Sequence, residues 1–149
     1  MLFDYVKEHE KQNIIIDLLI DFRGRVSKDQ RTAIMCSLFQ IANSDGDFSM
    51  KEAEFFLQIA ALSGYRLRRN CLDNFMILKP TNLIQILDTL TEGQKDWFTI
   101  AGNGMSHADG INIDIKDQYL NEILKKIGIT EKRYKVTLKK IQIAMDFLN

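Results

Sequence analysis

The stretch Asn43-Ser44-Asp45-Gly46-Asp47-Phe48-Ser49-Met50-Lys51-Glu52 decides how this chain is read. It joins two segments of helical periodicity. Asp45-Gly46 is a turn signal, because an aspartate can bond a backbone amide two residues on and glycine accepts positive φ. Ser49 with Glu52 is a capping box, the start signal of the next helix. A second version follows as His107-Ala108-Asp109-Gly110-Ile111-Asn112-Ile113-Asp114-Ile115-Lys116-Asp117.

Working outward, the pattern is helical throughout. Residues 3–22 form a helix with Glu10, Asn13, Asp17 and Asp21 as a narrow polar stripe; everything else from Ile14 to Phe22 is apolar, and a helix apolar around most of its circumference is largely buried. Ser27 and Gln30 cap a helix over 28–43 that turns Ile34, Leu38, Ile41 and Ala42 inward. The helix over 50–63 points Ala53, Phe56, Leu57, Ala60 and Leu62 inward and stops at Gly64. Shorter helices follow at 67–77 and 81–90, separated by Pro80. Thr91 and Gln94 cap a helix over 92–107. Gly102 and Gly104 inside it each cost about 1 kcal/mol relative to Ala, so it is crossed closely there, kinks, or ends early. After the second turn Asp114 is the expected N-cap, Asp117 falls at the third position, and Ile115, Leu120, Leu124 and Ile127 face in. Thr130 caps the last helix, with Tyr134, Leu138, Ile141, Met145 and Leu148 as its stripe. No stretch alternates long enough to be a strand.

The expectation is therefore an all-α single domain, residues 1–149, of about seven or eight helices. Asp45-Gly46 lies 64 residues before Asp109-Gly110, and one residue inserted after the second turn sets Ser49 on Asp114 and Glu52 on Asp117. Two pseudo-repeated helix-turn-helix halves follow, about 28–78 and 91–148, with the helix at 3–22 packed on them.

Bulk properties narrow the function. One proline and eight glycines in 149 residues favour long helices. Net charge is zero, so nothing in the bulk electrostatics points to nucleic acid. The charge is uneven: residues 124–149 hold seven Lys/Arg against two acids. That is a solvated basic face, or a docking surface for an acidic partner. Cys36 and Cys71 lie on apolar stripes and read as buried reduced thiols of a cytoplasmic protein. There is no secretory signal, and Ile14–Phe22 is too short and too polar to span a bilayer. A homo-oligomer stays open.

The motif Asp-Gly-x-hydrophobic-Ser-x-x-Glu, carried by Ala42–Glu52 with the helix to Gly64 and again by Ser106–Gly110 with the helix to Gly128, resembles the TerB-like proteins. These are named after a tellurite-resistance protein and include the N-terminal region of a membrane-anchored DnaJ-type co-chaperone. The resemblance covers about residues 28–148. It implies an all-helical domain of bacterial stress-response, phage-defence or membrane-linked systems that binds a protein partner and has no known catalysis. It also implies metal binding by acidic residues near the turns. This chain departs from the motif at Asn112, which stands where an apolar residue belongs.

An EF-hand is excluded at the first turn. With Gly46 at loop position 6, position 1 is Ile41, which has no side-chain oxygen. A looser carboxylate site for Ca²⁺ or Mg²⁺ remains if the turns lie side by side, drawing on Asp45, Asp47, Glu52, Asp109, Asp114 and Asp117. The alternative, favoured by the local chemistry, is that these residues only stabilise turns and cap helices. No nucleophile constellation or phosphate loop occurs, and no cofactor is required. The leading function is a non-enzymatic interaction domain, followed by a divalent-cation-binding protein and then a metal-dependent hydrolase.

Overall fold

The computed structural model describes residues 26–68 and 70–147. The expected helix at 3–22 lies outside the described residues. Within them the fold is all-α and forms a single domain: α1 (Lys28–Ala42), a 3₁₀ turn (Asn43–Asp45), α2 (Met50–Ser63), α3 (Cys71–Ile77), α4 (Pro80–Leu87), α5 (Glu92–His107), α6 (Ile113–Lys126) and α7 (Glu131–Phe147).

The core is built around α1. Between Ala33 and Ala42 every residue except Gln40 is buried, so α1 is enclosed on all sides rather than along the single stripe expected of it. It packs against α2, α3, α4, α5 and α6. Gln40 links the layers: its amide nitrogen donates to the carbonyls of Phe75 and Leu78, and its oxygen accepts from Tyr119. Phe39, Phe48, Phe56 and Phe75 meet in mostly edge-on ring contacts beside it.

Local start signals set several helix boundaries. The capping boxes Ser27/Gln30, Ser49/Glu52 and Thr91/Gln94 are all formed. Helix α3 begins at Cys71 and not at 67, because Asn70 takes left-handed φ +71° just before it. Pro80 occupies the first turn of α4, where its missing N–H costs nothing.

Both internal glycines of α5 mark close crossings. A Cβ at Gly102 would lie 2.5 Å from Leu120 Cδ1, and one at Gly104 would lie 2.5 Å from Phe55 Cζ. Helices α6 and α2 thus cross α5 at positions that lack a side chain. Helix α7 packs against α5 and is tied to it by Arg133, which donates to Asp96 Oδ1 at 3.0 Å, to the Glu92 carbonyl at 2.9 Å and to the Glu92 carboxylate. Among the described residues no helix is long and apolar enough to cross a membrane.

Candidate functional site

The two Asp-Gly turns lie side by side. In the first, Asp45 Oδ1 accepts the amide of Asp47 at 3.0 Å and Gly46 sits at φ +85°. In the second, Asp109 Oδ1 accepts the amide of Ile111 at 2.9 Å and Gly110 sits at φ +70°. Asn112 joins them: its side-chain amide donates to Asp45 Oδ2 at 3.1 Å. The residue that departs from the family motif therefore bridges the two turns.

Between the turns lies a residue that sequence reasoning missed. Lys116 is fully buried, and its Nζ is 2.9 Å from Asp109 Oδ1, 2.9 Å from Glu52 Oε2 and 3.8 Å from Asp45 Oδ2. The three carboxylate side chains are themselves only 1–7 % exposed. The Asp109 contact is a hydrogen bond. The Glu52 contact is an ion pair outside hydrogen-bond geometry, so Oε2 is held by charge while Oε1 accepts the Ser49 amide at 2.9 Å.

The electrostatics follow from this arrangement. Burial works to raise the Asp45 pKa, but the Asn112 amide, the Asp47 amide and the Lys116 charge outweigh it and hold it below the ordinary value. Burial likewise opposes ionisation of Asp109, and the Ile111 amide, Lys116 and the Ser49 hydroxyl overcome it. For Lys116 burial favours the neutral amine, yet Glu52 and Asp109 together raise its pKa. All three groups are charged at neutral pH.

Lys116 had a legible signal. The buried positions of α6 are Lys116, Leu120, Ile123 and Leu124, and those of α2 are Glu52, Phe56, Ile59, Ala60 and Ser63. Each stripe opens with a charged residue. Keeping the 64-residue offset unbroken, with no inserted residue, sets Glu52 on Lys116, Phe56 on Leu120 and Gly64 on Gly128. Ile115 and Leu57, both expected inside, are 48 % and 53 % exposed, each one position beside the true stripe.

Of the six acids singled out in the sequence, Asp45, Glu52 and Asp109 come together around Lys116. The other three do not join them. Asp47 is exposed and contributes its backbone amide. Asp114 is exposed in the first turn of α6, whose N-cap is Asn112 in the left-handed region with no side-chain cap. Asp117 faces His107, with Oδ2 3.5 Å from Nε2. Asp114 and Asp117 line a shallow depression on α6 with Gln118 and Glu122.

The donor set offers hard oxygens suited to Ca²⁺ or Mg²⁺. Lys116 Nζ already occupies the space among them. A divalent ion about 3 Å from the ammonium would be repelled by on the order of 10 kcal/mol at an effective dielectric of about 20. Among the described residues no three His, Cys, Asp or Glu side chains are set to hold a metal ion. With Lys116 in place, these residues do not fit a metal ion.

A second surface feature is a groove of about 820 Å³ between α6 and α7. Leu124, Ile129, Tyr134 and Leu138 form its apolar lining, and Lys125 and Lys135 stand exposed at its edges. Away from the surface, Cys36 donates to the Phe75 carbonyl at 3.4 Å, and burial pushes its thiol up to about 12. Neither Cys36 nor Cys71 is in a disulfide.

The fold and this site define an all-α domain whose two Asp-Gly turns close on a buried lysine. Residues 4–68 match the family described as tellurite resistance protein TerB, and this stretch of the chain is similar to that family. The matched stretch contains the first turn, α1 and α2, and ends before Asp109 and Lys116. Neither a curated protein nor a solved structure matches the chain.

Proposed function

We propose that this chain is a non-enzymatic protein-interaction domain of the cytoplasm, working in a stress-response or tellurite-resistance-type system. The observation that carries this reading is the α6–α7 groove, an apolar channel edged by lysines. Among the described residues, Lys125, Lys126, Lys132, Lys139 and Lys140 have no acidic partner within 4.0 Å, whereas Arg133 is engaged by Glu92 and Asp96. Lys135 pairs with Glu131, an exposed contact worth little. A surface of this kind suits an amphipathic helix with one apolar face and acidic flanks. The alternatives at the turns have less support, because Asp45, Glu52 and Asp109 are already paired with Lys116.

The occupant we favour is a segment of another protein. Residues 3–22 of this chain are also acidic, with five Asp/Glu against two Lys. But three of those acids share residues 4–11 with both lysines, and from Ile14 to Phe22 the expected helix is apolar around most of its circumference, whereas a groove open on one side buries one face only. The test uses the ¹⁵N-labelled full chain and two synthetic 20-residue amphipathic helices, one with a glutamate polar face and one with a lysine polar face. The acidic peptide is expected to shift Leu124, Ile129, Tyr134 and Leu138, with affinity falling as salt rises. K125E/K135E should abolish it. Equal shifts with both peptides, or shifts confined to another face, would sink this reading. So would zero-length cross-links joining Lys125 or Lys135 to residues 3–22 of the same molecule.

A further inference from the structure

We infer that Lys116 is the cation of this site: its ammonium does for the paired acidic turns what a bound divalent ion would otherwise do, and the wild-type turns take up no metal. The basis is positional. A metal bridging two such turns would be held by Asp45 and Glu52 on the first unit and by Asp109 on the second. Lys116 Nζ touches Glu52 and Asp109 at 2.9 Å and lies 3.8 Å from Asp45. It reaches that point from the first buried position of α6, so the core holds its stem while the turns hold its head.

The rest of the site is built for a positive centre. Three carboxylates face one ammonium, a formal excess of two negative charges. Amide donors stabilise the carboxylates from outside: Asp47 and Asn112 on Asp45, Ile111 on Asp109, and Ser49 on Glu52. Glu52 also lies in the first turn of α2, where the helix dipole favours negative charge. Removing the ammonium would leave three buried oxygen donors and no cation, the environment a hard divalent ion seeks. The inference is independent of what docks in the α6–α7 groove.

The experiment compares the full chain with its Lys116→Met variant in thermal melts with EDTA, Ca²⁺ or Mg²⁺. The wild-type melt should not move. The variant should melt lower in EDTA and regain about 5–10 °C at a hundredfold excess of ion over its dissociation constant. Adding Asp45→Asn to Lys116→Met should remove that recovery. A wild-type melt raised by Ca²⁺ and no longer raised in Asp45→Asn would overturn the inference. So would a folded Lys116→Met that ignores both ions. If that variant does not fold in any condition, reductive methylation of the native wild-type chain decides. Lys116 should stay unmodified with and without Ca²⁺, and methylation that rises with Ca²⁺ would show the ion displacing it.

Discussion

In the first turn, Asp45 folds back on the amide of Asp47 and the following helix starts with a complete Ser49/Glu52 capping box. In the second, Asp109 folds back on the amide of Ile111 in the same way, but the following helix starts at Asn112 with no side-chain cap. The second turn gives up a cap and gains a tether, since the Asn112 side chain crosses to Asp45. Seven residues after each aspartate the charge inverts: Glu52 follows the first and Lys116 the second, and the two meet. The turn backbone is local chemistry and is the same twice. What joins the turns is set by side chains that reach across: Asn112 to Asp45, and Lys116 to Glu52.

The comparison breaks hardest at those two positions. Lys116→Met leaves three buried carboxylates without their cation and should cost about 3–5 kcal/mol in the absence of divalent ions. Glu52→Gln keeps the capping geometry, which glutamine also supports, and leaves Lys116 paired with Asp109. It should cost less, about 2 kcal/mol. Urea denaturation of both variants checks the ranking. A larger loss for Glu52→Gln would mean that the Glu52 carboxylate, and not the ammonium it faces, holds the region together.

Much of the fold was legible because its signals are local. Helix α2 starts where the Ser49/Glu52 box says and ends before Gly64, and α5 runs from the Thr91/Gln94 box to His107. Those signals involve residues within one turn of each other. The start of α6 was misread because Asp114 is a good capping residue by type, while Asn112 takes the N-cap position in a conformation that sequence does not announce. Half of the site was legible as well: Asp45, Glu52 and Asp109 stood out as acids beside a repeated turn. Lys116 did not. A search for apolar periodicity skips a lysine, even one that opens the stripe through Leu120 and Ile123, and its three partners are supplied by tertiary packing.

Asn112 tests the tether at a smaller scale. Asn112→Ala loses the bond to Asp45 and also forces alanine to φ +53°, and should cost about 2 kcal/mol. Asn112→Gly loses the bond but relieves the backbone, and should cost under about 1 kcal/mol. If both cost the same, the backbone conformation is irrelevant and the tether is the whole effect. Gly46→Ala and Gly110→Ala probe the shared backbone. A Cβ at either position would meet nothing within 4 Å, so each change carries only the left-handed penalty of about 1 kcal/mol. Denaturation midpoints that differ between the two would show that the turns are not equivalent even as backbone.

The smallest expected effect is at mildly acid pH, and its sign follows from the directions of the shifts. Asp45 and Asp109 have native pKa values below the ordinary 3.8, so their contribution is complete above that value and is lost as pH falls through the native ones. Lys116 is raised above 10.5, so its contribution is complete below that value and is lost as pH climbs through the native one. Between about pH 5 and pH 9 Asp45, Asp109 and Lys116 should therefore add no pH dependence. Near pH 4 the melting temperature should begin to fall, and the fall should steepen toward pH 3. Asp45→Asn and Asp109→Asn should each melt lower at pH 7 yet lose less on acidification than the wild type, because each has one fewer depressed carboxylate to protonate. Asp109 bonds the ammonium directly while Asp45 stands 3.8 Å away, so the Asp109 variant should show the lower melt at pH 7. If both variants keep the full wild-type acid slope, the acid sensitivity arises elsewhere, and the two aspartates serve their turns without sensing the lysine between them.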